Sequence, residues 1–335
     1  MNTPAPAIRA AIVGFGWWGK ILAGYLGNSE LMRPVLVVEP EAAGRASAAS
    51  MGLATCVTFE EAISRDDVDA VILCSPHRFH SEQIIAAAKA GKHVFCEKPL
   101  CTTAAEADAA ISAVIAAGVQ LGIGHERRFE PAIIELRRRF ACGEFGTLLS
   151  MEGNFSQDKF LDLPPDNWRL SPVLAPVGPL SATGIHLVDL AIAVFGKPSE
   201  VWARLATRGT NFANGDTLTI TLAFENGTTA LLTAILATPF MGRVCVFGSK
   251  GWFDIRDRTH PEHPTGWDVT TTLRDGGGET RFFAPHPAVR DNLEAFARAA
   301  QGGAPYPVSH DEMSANVRTF EAIIRSVGRG GIERI

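Results

Sequence analysis

Several features are missing from this sequence, and each absence excludes a class of protein. It has no basic footprint: 31 Lys and Arg stand against 36 Asp and Glu, giving a net charge of −5. The signs are well mixed, which argues against nucleic acid as a partner. No polybasic segment is present to meet an anionic membrane surface. No apolar run reaches transmembrane length; the longest, 10–15 and 230–237, are strand-sized. Residues 1–7 are uncharged and Pro-containing, without the charged start and long apolar core of a secretory leader. None of the six cysteines (Cys56, Cys74, Cys96, Cys101, Cys142, Cys245) forms a C-x-x-C pair or a zinc-like spacing with histidine. They read as buried free thiols in a reducing compartment, so the expected location is the cytoplasm. Internal repeats and low-complexity tracts are absent as well.

What remains is a globular chain of 335 residues, 46% hydrophobic and 20% charged, long enough for two domains. The first part alternates short β-branched apolar runs with Ala-rich helical stretches. Strands are expected at 8–13, 34–38, 55–57, 70–74, 93–96 and 120–123, and helices at 18–26, 41–51, 58–63, 81–90 and 103–117. Near-continuous apolar strands suit a parallel sheet covered on both faces. Their alternation with helices predicts an α/β doubly wound parallel sheet.

The pattern changes after about residue 145. Strand-like runs at 148–155, 199–207, 217–224, 228–234, 243–248, 252–256, 268–273 and 280–283 follow one another, with turn signals at Asn214-Gly215, Asn226-Gly227 and Asp275-Gly276. This predicts a large, mainly antiparallel sheet. A helix at 183–195 interrupts it, and helices at 289–300 and 310–327 pack back on the body. The division expected is 1–125 for the first domain and 126–335 for the second.

Gly14-Phe15-Gly16-Trp17-Trp18-Gly19 is a G-x-G-x-x-G motif that follows a strand and opens a helix, the context that gives it meaning. Gly14 makes the tight turn, Gly16 admits a pyrophosphate without a Cβ in the way, and Gly19 allows close helix–strand packing. Free N–H groups at the helix start then face the phosphate charge. Glu39, twenty positions after Gly19, ends the second strand. Its carboxylate accepts from ribose hydroxyls and repels a 2′-phosphate, which favours NAD over NADP. Arg45 lies close enough along the chain to soften that preference.

Cys96-Glu97-Lys98-Pro99 follows the fifth strand, at the strand end where open α/β sheets bind ligands. A lysine there can act as general acid/base or as an electrostatic partner of a substrate hydroxyl. With Ser75-Pro76-His77-Arg78-Phe79-His80, Arg128-Phe129, Trp168-Arg169 and Gly184-Ile185-His186-Leu187-Val188-Asp189, these motifs span more than half the chain. In this order they resemble the glucose–fructose oxidoreductase / inositol dehydrogenase / rhizopine-catabolism (Gfo/Idh/MocA) family.

The resemblance implies an N-terminal Rossmann domain and a C-terminal α/β domain with a large open antiparallel sheet. It also implies hydride transfer between nicotinamide and a carbinol carbon of a sugar, inositol or related molecule. Lys98 and His186 match the family's catalytic lysine and histidine. Cys74, Ser75, Pro76, His77, His80, Glu97 and Lys98 would lie along the cofactor, together with the residues of the glycine motif. A homo-oligomer, dimer or tetramer, is the implied assembly.

One position departs from the family pattern. Many members carry an aspartate four residues before the histidine, on the same helix face. Here Ala182 stands there, and Asp189 reads as structural. Thr183 or Ser181 could supply a neutral hydrogen bond instead, or the substrate could be an acid or an aromatic diol. A nicotinamide-binding sensor without net redox chemistry is the alternative from another class.

His125, Arg127, Arg128, Trp168, Arg169 and Thr183 are the candidate substrate contacts. Arg127 or Arg128 would meet a substrate carboxylate or form an interdomain salt bridge, and Trp168 could equally be core. Arg137-Arg138-Arg139 reads as a solvated helix face. His260, His263 and His286 give no metal-site spacing.

Overall fold

The computed structural model describes residues 6–335, so most of the segment weighed above as a possible leader lies outside it. The chain divides into two units, one of residues up to Glu126 with Pro287–Ser314, the other of Arg127–His286 with Ala315–Ile335.

The first unit is built from β1 (Ile8–Val13), α1 (Trp17–Leu26), β2 (Met32–Val38), α2 (Ala42–Ser50), β3 (Ala54–Cys56), α3 (Phe59–Ile63), β4 (Ala70–Leu73), α4 (His80–Lys89), β5 (His93–Cys96), α5 (Ala104–Ala117) and β6 (Leu121–Ile123). All six strands pair in parallel, in the order β3-β2-β1-β4-β5-β6. The order reverses between β1 and β4, so their C-terminal ends border the crevice of a doubly wound sheet. Ala70, Val71, Ile72 and Leu73 are all buried, as strands covered on both faces require. Ile12 and Ile72, each fully buried, contribute on the order of 1.5–3 kcal/mol apiece.

Local chemistry sets the helix ends. Thr58 caps α3 by accepting from the Glu61 N–H. Thr103 and Glu106 form a reciprocal capping box on α5, and Gly118 ends that helix at φ 66°.

The second unit begins with α6 (Pro131–Ala141), with proline in its first turn, and continues with β7 (Leu148–Ser156). A π-helical turn, Leu180–Gly184, leads into α7 (Ile185–Phe195), which is buried over most of its surface. Then come β8 (Pro198–Ala206), β9 (Thr217–Phe224), β10 (Thr229–Ile235), β11 (Met241–Gly248), β12 (Gly251–Asp257), β13 (Trp267–Leu273) and β14 (Gly278–Phe283). After α8 (Ala288–Ala300) and α9 (His310–Arg329), β15 (Glu333–Arg334) closes the chain. The nine strands run β14-β13-β12-β11-β7-β10-β9-β8-β15, antiparallel except for β10 beside β7.

Alternation sets which face is buried. Leu218, Ile220, Leu222 and Phe224 of β9 point into the core with Leu187, Leu190 and Ala191 of α7. Gly215, Gly227 and Gly276 adopt φ of 81°, 84° and 88° in the three turns read from their Asn-Gly and Asp-Gly pairs.

Three sequence expectations change. The segment 287–314, placed with the second domain, belongs to the first unit. Its Asn292 Nδ2 and Tyr306 hydroxyl both donate to Ile123 O at 2.9 Å, and Phe296 packs edge-on against Phe95. Polar side chains thereby satisfy the last strand of the sheet. Arg139 is not solvated: it is buried, paired with Glu144, and stacked over Phe145. Finally, all six thiols are free, but Cys142 is exposed and Cys74 half-buried rather than buried.

Among the described residues, no helix is long and apolar enough to cross a membrane.

Candidate functional site

The first unit gathers the glycine motif and the ends of β2, β4 and β5. Gly14 has φ 91°, a left-handed conformation that favours glycine, and a Cβ there would lie 3.0 Å from Cys74 O. A Cβ on Gly19 would meet Gly14 O at 2.2 Å, so the helix packs too closely on the loop for any side chain. Gly16 differs from both. It is the exposed N-cap of α1 with an ordinary φ of −68°, and nothing lies within 4 Å of its missing side chain. The protein itself does not require glycine there; the open space suits a ligand that approaches backbone. No side chain caps α1, so its first N–H groups remain available to an anion. The cradle therefore fits the pyrophosphate of a dinucleotide. Phe15 is buried beneath it, while Trp17 is exposed with its ring centroid 5.4 Å from that of Trp18.

Glu39 ends β2 beside this cradle. The Phe15 N–H donates to its Oε2 at 2.8 Å and the Glu41 N–H to its Oε1 at 3.0 Å. Arg45 donates from Nη1 to Glu39 O at 2.9 Å.

Cys74, Ser75, Pro76 and His77 leave the end of β4. The Cys74 thiol is pushed well up by burial. Ser75 Oγ donates to Gln83 Oε1 at 2.6 Å, and His77 is half-buried in a short 3-10 turn.

His80, expected along the cofactor, is instead fully buried. Its Nδ1 lies 2.8 Å from Pro99 O and its Nε2 lies 2.9 Å from Ser75 O, tying the two loops together. Burial lowers its pKa against the pull of these carbonyls.

Glu97 is buried at the end of β5, and burial pushes its carboxyl up to about 7 against the indole of Trp18 and the ammonium of Lys98. A Cβ on Gly124 would lie 2.4 Å from Glu97 Oε2, so that glycine makes the carboxyl's room. Lys98 is half-buried and joined to Pro99 by a cis peptide. His125, just past β6, is buried.

The second unit holds His186 on α7, 5% exposed. Its ring lies 5.8 Å from that of Phe155, which also meets His260 at 5.6 Å and Phe240 at 6.2 Å between centroids. Ala182 is half-exposed in the π-helical turn. The two neighbouring hydroxyls donate to backbone: Thr183 Oγ1 to Pro179 O at 3.4 Å, and Ser181 Oγ to Pro176 O at 3.0 Å.

Arg127 and Arg128 are buried and form ion pairs within this unit. Arg127 reaches Glu130 at 3.0 Å and Asp257 at 2.8 Å; Arg128 grips Asp189 with Nε and Nη2 at 2.8 and 2.7 Å. Two guanidiniums so engaged are anchors of the fold.

Arg169 contrasts with them. Its guanidinium lies 4.5 Å from the Trp168 ring centroid, and burial lowers its pKa with no acidic partner among the described residues. Asn214 Nδ2 fixes this loop by donating to Arg169 O at 2.7 Å and Ala175 O at 2.9 Å.

Sequence reasoning missed Phe155, Asp257 and the anchoring role of Asn214, which had been read only as half of a turn. Phe155 and Asp257 lie near strand ends like any other residue, and only the fold brings them to His186 and Arg127. Among the described residues, no group of three His, Cys, Asp or Glu is placed to hold a metal.

Residues 8–125 match the family described as an oxidoreductase family with an NAD-binding Rossmann fold, and residues 133–254 match the GFO/IDH/MocA C-terminal domain. The chain is 31% identical over 306 residues to D-xylose 1-dehydrogenase (NADP(+)) 2 of Haloferax volcanii, covering 90% of this chain and 91% of that one. It is 28% identical to the rhizopine catabolism protein MocA of Rhizobium meliloti, covering 96% and 95% of the two chains. A crystal structure of aldose-aldose oxidoreductase from Caulobacter crescentus complexed with glycerol superposes with a TM-score of 0.86 at 27% identity, covering 98% of this chain and all of that one. The chain thus belongs to the GFO/IDH/MocA family of oxidoreductases, with an NAD(P)-binding Rossmann fold.

Proposed function

We propose that this enzyme interconverts a carbinol and a carbonyl carbon on a sugar, inositol or related hydroxylated small molecule, with NAD as its preferred cofactor. The observation that carries the reading is Gly16: an exposed helix N-cap, conformationally ordinary, with nothing around its missing side chain. When bound, a nicotinamide dinucleotide supplies the hydride acceptor or donor.

The chain's own residues do the rest. Gly14, Phe15, Gly16, Trp17, Trp18 and Gly19 hold the pyrophosphate, and Glu39 takes the ribose hydroxyls. Cys74, Ser75, Pro76, His77 and Glu97 line the strand ends that follow. Lys98 Nζ exchanges a proton with the reacting hydroxyl, and the His186 imidazole serves as acid/base in the second unit. The carboxylate of Glu39 supports NAD; the NADP-dependent xylose dehydrogenase relative marks NADP as the competitor to be tested.

A narrower substrate reading is favoured by Arg169 and Ala182. A half-buried cation without an acidic partner among the described residues, in a chain whose π-helical turn lacks the family's aspartate, suits a substrate carrying a carboxylate. We also keep a homo-oligomer in this reading: the outer face of the nine-stranded sheet exposes Trp202, Leu231 and Met241, and light scattering measures the assembly.

The deciding experiment is a turnover screen with NAD and NADP against sugars, inositols, sugar acids and aromatic diols, followed at the nicotinamide absorbance. Turnover of a hydroxylated compound, absent from Lys98→Ala, is expected. Saturable cofactor binding with no turnover anywhere in the screen would point to the sensor reading instead.

A further inference from the structure

Gly44 stands third in α2, among alanines, with a backbone that any residue adopts. Glycine is a poor choice inside a helix, where alanine is best. The reason for it lies in a neighbour. A Cβ on Gly44 would lie 2.5 Å from Glu39 Cγ, 2.9 Å from Cδ and 3.3 Å from Oε2. These are separations that only a shift of the Glu39 side chain can relieve. That side chain is not free to shift without loss, because its two oxygens accept from the Phe15 and Glu41 N–H groups at 2.8 and 3.0 Å. The volume above Gly44 is therefore the seat of the Glu39 carboxylate.

A positive charge flanks the same strand end. Arg45 donates to the carbonyls of Glu39 and Pro40 and has no carboxylate partner among the described residues. With Glu39 seated, the carboxylate faces the glycine loop and opposes a 2′-phosphate. With Glu39 displaced, the charge that remains is the guanidinium, which attracts one.

We propose that Gly44 is a specificity-determining residue: by leaving room for Glu39 against the glycine loop, it sets the preference for NADH over NADPH. The inference rests on the dinucleotide site proposed above, and its test separates the two. NADH and NADPH are titrated into the purified full-length protein, and binding is read by nicotinamide fluorescence, without turnover. Five proteins are compared: wild type, Glu39→Ala, Gly44→Ala, Gly44→Ser and the Glu39→Ala/Gly44→Ala double variant. Alanine favours the helix, so Gly44→Ala retains the fold, as circular dichroism checks; Gly44→Ser carries the same Cβ and serves as the second variant.

Glu39→Ala lowers the NADH:NADPH affinity ratio; if it does not, the NAD reading fails and the role of Gly44 falls with it. Gly44→Ala lowers the ratio about ten-fold, and makes no further change once Glu39 is already alanine. Two results overturn the proposal while leaving the NAD reading intact. One is a Gly44→Ala ratio equal to wild type beside a lowered Glu39→Ala ratio. The other is the same Gly44→Ala effect in both backgrounds, which would place its action elsewhere.

Discussion

One imidazole, His80, fastens the backbone that follows Lys98: its Nδ1 lies 2.8 Å from Pro99 O. Its other nitrogen lies 2.9 Å from Ser75 O, so one ring bridges the loops after β4 and β5. His80→Ala removes the ring that bridges the Pro99 and Ser75 carbonyls and leaves one of them without its donor. The expected cost is about 1–3 kcal/mol in urea unfolding, together with reduced turnover as the Lys98 loop loosens. Stability within about 0.5 kcal/mol of wild type would show that the crosslink does not matter.

The Arg128–Asp189 pair is buried at both ends, with side chains 2% exposed. Asp189→Ala removes the carboxylate that Arg128 grips in the core, and should destabilise by about 3–5 kcal/mol. An Arg128→Met/Asp189→Leu double variant removes both charges and should lose less. Equal losses for the single and double variants in urea titrations would contradict an ion-pair role.

Glu97 gives the fold a pH dependence of definite sign. Its carboxyl titrates at about 7 in the folded protein against an ordinary 4.5, because burial favours the neutral form. The folded state therefore holds its proton more tightly than the unfolded chain. That stabilisation is fully present below the ordinary carboxyl range and is lost as pH rises through about 7, to a total of about 3 kcal/mol. Glu97→Gln should flatten the fall in Tm between about pH 5 and pH 8. An unchanged slope in that variant would place the proton on another group.

The first unit was readable because its signals are local. Apolar runs at β1 and β4, the capping residues Thr58 and Thr103, and the glycine spacing each act within a few residues of chain. The same holds for the Asn-Gly turns of the second sheet. What was not readable depends on partners far away in sequence. Arg128 finds Asp189 across 61 residues, and Arg127 finds Asp257 across 130. No local pattern marks those pairs. His80 was misread for a related reason: its motif gives its place in the chain, while only packing shows that its ring turns inward to Pro99. Gly44 passed unnoticed because a glycine in an Ala-rich helix carries meaning only once Glu39 is seen beside it.

The central claim is that the glycine loop binds a nicotinamide dinucleotide, and Gly16 tests it most directly. Its backbone is ordinary and its surroundings are empty, so Gly16→Val leaves the fold intact while placing a side chain where the pyrophosphate belongs. NADH titrated into wild type should quench the emission of Trp17 and Trp18 saturably, and Gly16→Val, with unchanged circular dichroism, should show no saturable quenching. Equal NADH affinity in the two proteins, or no saturable binding in wild type, would contradict the account.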